Sequence, residues 1–233
     1  MTLLTTDPKI LALALLTGII PSLLWLWFWL KEDDEYPEPS GLLTIVFIMG
    51  MLAVLIVLPI QKFIQTNINS NELELVLWAS AEEILKYLAV LLVLYKTHNA
   101  DKPIDWPIYM ITAALGFAAL ENTLFLVKPF LASDTVVGLL TGQLRFLGST
   151  LLHAVSSGIL GIAMGISLHA GNFKKEWHLA VGFIVAIALH STFNFFIMRN
   201  NGGDFLKVFA FLWVVTIIVM LLFEKVRRLS EDY

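Results

Sequence analysis

Glu82, Glu83 and Lys86, then Glu121 with Asn122, Arg145, His153, and finally His190 with Asn194 are polar residues set inside stretches that are otherwise apolar. Acids, imidazoles and a lysine in such surroundings are groups that take up and return protons. A carboxylate removed from water holds its proton more tightly and can act as a general base near neutrality. Histidine can share that proton or stabilise an oxyanion. The chemistry that fits this collection is activation of a water molecule where bulk water is absent. The chain has neither a Gly-x-Ser-x-Gly elbow nor a His-Glu-x-x-His pair, so serine-hydrolase and zincin readings are poor. It has no cysteine, which excludes a thiol nucleophile, thiolate metal ligands and disulfides.

Spacing refines this picture. Glu82 and Lys86 stand at i, i+4 and share a helix face, whereas Glu83 is rotated by about 100°. The spacing predicts that Lys86 holds one acid ionised while the other points elsewhere. His190 and Asn194 are also at i, i+4, so the amide can orient the imidazole. Arg145 is expected to snorkel to an interface. Glu82, Glu83, Lys86, Glu121 and Arg145 would together cost on the order of 12–18 kcal/mol inside a bilayer before any pairing. Helix packing alone gives little reason to retain such a cost.

These residues need elements to hold them, and the composition says what those elements are. Of 233 residues, 58% are hydrophobic and 15% charged, and mean hydropathy is +0.80. A soluble domain of this size cannot hide that much apolar surface in one core, whereas lipid removes the conflict. The net charge of −4 offers no footprint for nucleic acid. Since about 20 apolar residues cross the hydrocarbon, the sequence predicts an all-α, polytopic transmembrane bundle of about seven spans: 10–30, 42–61, 73–95, 106–127, 146–169, 177–198 and 205–223. The first is a retained span rather than a signal peptide, because it is long and ends in Trp25, Trp27 and Trp29, which read as interface anchors. Asn69, Ser70 and Asn71 mark a helix start, as does Asp105 before Trp106 and Pro107. The stretch 134–169 is too long for one ordinary span, so 134–145 reads as an interfacial or re-entrant piece. Gly116, Gly158, Gly161 and Gly165 let helices approach closely. No linker or repeat divides residues 1–233, which read as a single transmembrane domain with core helices over 72–198.

Helix arithmetic places Glu82, Glu83, Glu121, His153 and His190 roughly 9–15 Å from the same side of the bilayer. Lysines and arginines are more numerous in the loops on the C-terminal side, and the positive-inside rule favours a cytoplasmic C-terminus in the cell membrane. The polar level then lies nearer the outer face. His98, His169 and His178 fall at span ends, and Glu72 and Glu74 complement a helix dipole.

Glu82-Glu83-Ile84-Leu85-Lys86 reads as EExxK, Phe117 to Asn122 as FxxxEN, and His190 to Asn194 as HxxFN, with His153 on an intervening glycine-bearing helix. This ordered set resembles the PrsW family of intramembrane proteases, related to the CAAX prenyl endopeptidases and the bacterial CPBP proteins. The resemblance implies a membrane-embedded endopeptidase whose substrate is a membrane-anchored protein, such as an anti-sigma factor. It implies Glu82 and Glu83 as the main catalytic carboxylates, Glu121, His153 and His190 as completing the centre, and Lys86, Asn122 and Asn194 in support. Direct Glu/His activation of water, with no cofactor required, is the favoured mechanism. A zinc ion held by His153, His190 and Glu121 is the alternative. A proton-coupled transporter would use similar residues but calls for an inverted repeat or paired broken helices, which the sequence lacks. A non-catalytic scaffold with the same fold would not need both acids and both histidines. A retinal protein is discarded because the last span has no mid-span lysine.

Overall fold

The computed structural model describes residues 7–32, 37–95, 97, 99–131, 135–198 and 205–231. Those residues are all helical or connecting: α1 (Pro8–Lys31), α2 (Ser40–Asn67), α3 (Asn71–Leu94), α4 (Asp105–Leu131), α5 (Thr135–Arg145), a π-helical turn (Phe146–Thr150), α6 (Leu151–Ile166), α7 (Asn172–Met198) and α8 (Phe205–Ser230). Six described helical segments are long and apolar enough to cross a membrane. The expected third span, α3, has the length but not the composition, because it carries Glu72, Glu74, Glu82, Glu83 and Lys86. Its central charges are tolerated because they face other helices. Leu75, Ala79, Glu82, Glu83, Lys86, Ala89, Val90 and Leu94 form a buried stripe at helical spacing.

The ends of the helices follow local chemistry. Ser70 caps α3, its hydroxyl accepting from the Leu73 amide, and Glu72 and Glu74 occupy the first turn. The Asp7 carboxylate accepts from the Lys9 amide ahead of Pro8 at the start of α1. Asp105 opens α4, with its carboxylate accepting from the Lys102 amide.

Helix α4 is the axis of the bundle and packs on α1, α2 and α6. Every residue from Pro107 to Ala119 is buried. Glycines bring backbones together around it: a Cβ on Gly161 would lie 2.5 Å from Pro107 Cα, and one on Gly165 would strike the Pro103 carbonyl. Gly116 plays the same part against Phe47 of α2, with Gly50 as a reciprocal contact on Ala113.

Three expectations need correction. Residues 135–145 are not a separate re-entrant piece. They run through the π-turn into α6 without a break, and Leu139–Ile166 is one 28-residue spanning segment; Asp134 lies outside the described residues. The indole N–H of Trp25 donates to the Phe146 carbonyl of that turn, so a helix packed alongside supports the irregular backbone. The tryptophans at the end of α1 are also not uniform interface anchors. Trp27 is exposed, but Trp29 is 1% exposed and packs on Phe223, and Trp25 packs on Phe146 and Trp213. Finally, Arg145 turns inward, as described next. Of the span-end histidines, His169 is exposed, the His178 ring bonds the Lys174 carbonyl, and His98 lies outside the described residues.

Candidate active site

Four helices bring the sequence-marked residues into one polar centre. Glu82, Glu83 and Lys86 come from α3, Glu121 and Asn122 from α4, His153 from α6 and His190 from α7. All except Glu121 are buried. The two adjacent acids of α3 have opposite surroundings. Glu83 is saturated: its Oε1 accepts from Lys86 Nζ at 2.8 Å, Ser156 Oγ at 3.2 Å and His190 Nδ1 at 2.9 Å, and its Oε2 accepts from Ser157 Oγ at 2.6 Å. Glu82 Oε1 accepts from Gln61 Nε2 at 2.8 Å, while its buried Oε2 has no hydrogen-bond partner among the described residues. The lysine therefore pairs with the acid at i−3, not with Glu82 at i−4 as the shared face suggested. Rotamer direction and the serines of α6 decide the pairing, and neither is visible in the spacing of α3.

Each imidazole is oriented from one side. The Nδ1–H of His190 donates to Glu83, which leaves Nε2 to face Glu82 Oε2 at 3.6 Å. His153 lies between Lys86 Nζ, 2.9 Å from its Nδ1, and Glu121 Oε2, 3.2 Å from its Nε2. The two rings meet edge to face with centroids 5.0 Å apart. The Lys86 ammonium, with no exposed surface, also sits 4.7 Å from the centre of the Phe117 ring.

Arg145 completes the far edge. Its Nη2 donates to Glu121 Oε2 at 2.6 Å and to Ser149 Oγ at 3.1 Å, its Nε donates to Asn122 Oδ1, and its guanidinium lies over Phe125. Asn122 Nδ2 donates to Thr150 Oγ1 at 2.8 Å. Snorkelling is thus overturned, because an acid and an amide one turn inside the bundle bind the guanidinium. The π-turn at 146–150 lies between Arg145 and His153 and sets how these two side chains reach the same acid. Asn194 is half-buried and makes no hydrogen bond to His190, whose Nδ1 is taken by Glu83. Gln61, Ser156, Ser157, Ser149 and Thr150 were not marked by sequence reasoning. The serines and the threonine are common residues in packed membrane helices, and Gln61 stands at the end of the expected span 42–61, where an uncharged polar residue draws no notice.

The charges show where a cation would go. Glu83 is matched by Lys86 and Glu121 by Arg145, whereas among the described residues no lysine or arginine forms an ion pair with Glu82. One ligand atom each from Glu82, His153 and His190 lies within 4.8 Å of the others. Two histidines and a glutamate are a donor set used by catalytic zinc, and a histidine backed by a carboxylate is the usual supporting arrangement. The unbonded Glu82 Oε2 lies beside these rings, and the set fits a divalent ion with His153 offering Nδ1, the nitrogen that lies 3.9 Å from that oxygen and otherwise accepts from Lys86. The trio differs from the expected one: Glu82 takes the place of Glu121, which Arg145 and His153 engage instead.

Comparison with known proteins identifies the family. Residues 38–223 match the family model described as PrsW family intramembrane metalloprotease. The chain is 28% identical over 219 residues to Protease PrsW of Oceanobacillus iheyensis, covering 92% of this chain and 95% of that protein. It is 28% identical to Protease PrsW of Geobacillus kaustophilus over 84% of this chain and 85% of that protein. It is 24% identical to Protease PrsW of Bacillus subtilis over 84% and 88% respectively. No solved structure matches. A multi-pass helical bundle, a buried centre of acids and imidazoles, and a family match over most of its length lead to one conclusion: the chain belongs to the PrsW family of intramembrane proteases.

Proposed function

We propose that Glu82, His153 and His190 hold a divalent ion of the zinc class, and that peptide bonds of membrane-anchored proteins are hydrolysed beside it. One observation carries this reading: a buried carboxylate oxygen, Glu82 Oε2, left without a hydrogen bond and facing His190 Nε2 at 3.6 Å. Such an oxygen calls for a cation, a proton or a water. Such an ion, when bound, supplies Lewis acidity and lowers the pKa of a water. Glu83 fixes the tautomer of His190 and turns its Nε2 to the centre. Gln61 holds Glu82 from the opposite side. Glu121, 18% exposed at its side chain, is the wettest acid of the centre. Its Oε1 takes the proton from water and returns it to the departing amine. Arg145 keeps Glu121 in place and puts positive charge where the scissile carbonyl oxygen becomes negative.

The test is purification with metal analysis, followed by cleavage of a membrane-anchored reporter. Glu82→Gln is expected to lose both metal and cleavage, while Glu121→Gln loses cleavage and retains metal. Metal-free chemistry is the second reading, favoured by the same Glu82 oxygen acting as the base itself. Full cleavage by metal-free protein in a strong chelator would establish it in place of the first.

The described helices act on this reading as one catalytic unit, with 72–198 as its core and Gln61 of α2 added to it. The C-terminal end of the bundle carries Lys31, Lys102, Lys174, Lys175, Lys225, Arg227 and Arg228, against Lys9, Lys62, Lys128 and Lys207 at the other. That bias supports a cytoplasmic C-terminus in the cell membrane, with the centre nearer the outer face. The position suits a first cut of a membrane-anchored regulator. C-terminal phosphatase and fluorescent-protein fusions check the orientation, and an active phosphatase fusion would reverse it.

A further inference from the structure

Among the described residues, the buried centre reaches the protein surface between α2 and α4. Helices α2 and α4 run in the same direction and touch backbone to backbone where Gly50 meets Ala113 and Gly116 meets Phe47. Beyond that crossing they separate, and a cleft of about 200 Å³ opens between Leu58 and Gln61 of α2 and Glu121, Leu124 and Phe125 of α4, with Lys128 at its end. Two of these residues are bonded directly into the polar centre: Gln61 to Glu82, and Glu121 to His153 and Arg145. Larger clefts exist elsewhere. One of about 400 Å³ lies between α7 and α8, around Phe196 and Phe211, and another of about 690 Å³ lies around Tyr95 and Asp101. No residue of the polar centre lines either of them.

We infer that the α2–α4 cleft is the substrate-binding groove, where an apolar stretch of the membrane-anchored protein is laid in extended form next to the scissile bond. This deepens the protease reading and rests on it. The cleft is smaller than the roughly 300–1,000 Å³ of small-molecule pockets, and it is lined over several turns by two helices, which suits a chain laid along it. Its walls are Val54, Val57, Leu58 and Leu124, so lipid-soluble side chains are at home there. Its floor is polar, and that is what an unwound segment needs. A helix must give up backbone hydrogen bonds before its peptide bond can be attacked, and in lipid each freed group costs several kcal/mol unless another partner takes it. Gln61 Nε2 is committed to Glu82, which leaves the amide oxygen of Gln61 as an acceptor for a substrate N–H. A fatty acyl chain would fill the apolar walls but has no donors for this floor. The ammonium of Lys128, about 10 Å further along α4, matches an acidic residue at the end of the bound segment.

The absence of cysteine makes the test direct. Single cysteines are placed at Leu58 or Leu124 in the groove, at Phe196 in the α7–α8 cleft, and at Ile184, which is 67% exposed on α7. Each variant in liposomes cleaves a fluorescent single-span reporter before and after labelling with a bulky maleimide. The expected result is a fall in kcat/KM of about tenfold or more on labelling at 58 and 124, with less than a twofold change at 184 and 196. Unchanged rates at 58 and 124, or an equal loss at 196, would overturn the inference. Capture is tested independently of turnover with benzoylphenylalanine at the same positions in Glu82→Gln protein. Crosslinking of the reporter at 58 and 124 but not at 184 or 196 supports the groove even if the proposed chemistry of the centre proves wrong. Crosslinking at 196 alone, or equally at every position, rejects it.

Discussion

Helix α4 meets its neighbours in two different ways along its length. In the half up to Ala119, and at Pro103 just ahead of the helix, glycines on α2, α4 and α6 let backbone lie on backbone, and a methyl group added at Gly161, Gly165, Gly50 or Gly116 would collide with main-chain atoms. In the half from Glu121 to Lys128, Gly18 of α1 still lies close on the Thr123 backbone, but on the α2 side a cleft opens between the helices. The first half is a fixed joint, and the second is the surface where the proposed catalysis takes place. A close-packed seam has no room to adjust, so the position of the polar centre is set by the joint below it. Catalysis in lipid needs both: a rigid frame to hold charges in place, and an opening through which water and a peptide can reach them.

The largest effects are expected where the polar centre beside the cleft is broken. Glu82→Gln and His190→Ala should each lower reporter cleavage by about a thousandfold or more in purified protein, with folding checked by thermal melting. Wild-type rates in both would mean that the centre is not the site of hydrolysis. Glu83→Gln sharpens the distinction between the two adjacent acids. It removes the carboxylate that orients His190, so metal affinity or activity should fall by about 10–100-fold. Because Lys86 is left unpaired, stability should fall by about 3–5 kcal/mol as well. A Glu83→Gln, Lys86→Met double variant should recover much of that stability without recovering activity.

Effects on the fixed joint should be structural and smaller. Gly161→Ala is expected to cost about 1–3 kcal/mol, read by denaturation in mixed micelles. KM for the reporter should stay unchanged in whatever fraction remains folded. A rise in KM instead would show that the two halves of α4 are not independent. The smallest effect is expected at their border. Gln61→Leu should reduce kcat about tenfold with metal content retained, because Glu82 loses one of its two constraints, and Gln61→Asn should not rescue it because the shorter amide cannot reach.

Much of the fold was legible because lipid imposes a length and a composition on each span. The ranges 42–61, 106–127, 177–198 and 205–223 all fall within observed helices. The stretch around 134–150 was misjudged because hydropathy does not reveal a π-turn, and a helix carried through one looks from sequence like two pieces. Several residues that meet at the centre were marked because charge is costly in a bilayer and therefore stands out. Gln61, Ser156 and Ser157 were missed because uncharged polar side chains are too cheap to be conspicuous. Arg145 was misassigned because snorkelling is the usual fate of an arginine near a helix end, and only the opposing Glu121 and Asn122 reveal the exception.

The sequence by itself determined that this protein lives in a membrane, that its acids and histidines lie at a common depth, and that their order matches one protease family. Those facts follow from composition, from the fixed rise of a helix and from residues adjacent in the chain. Only the tertiary structure decided which acid is saturated and which is left open, that Glu82 and not Glu121 joins the two histidines, and that the centre meets the surface between α2 and α4. Each of these depends on how helices are rotated about their axes and where they separate. Rotation and separation are fixed by side chains on neighbouring helices, which no spacing within one helix can report.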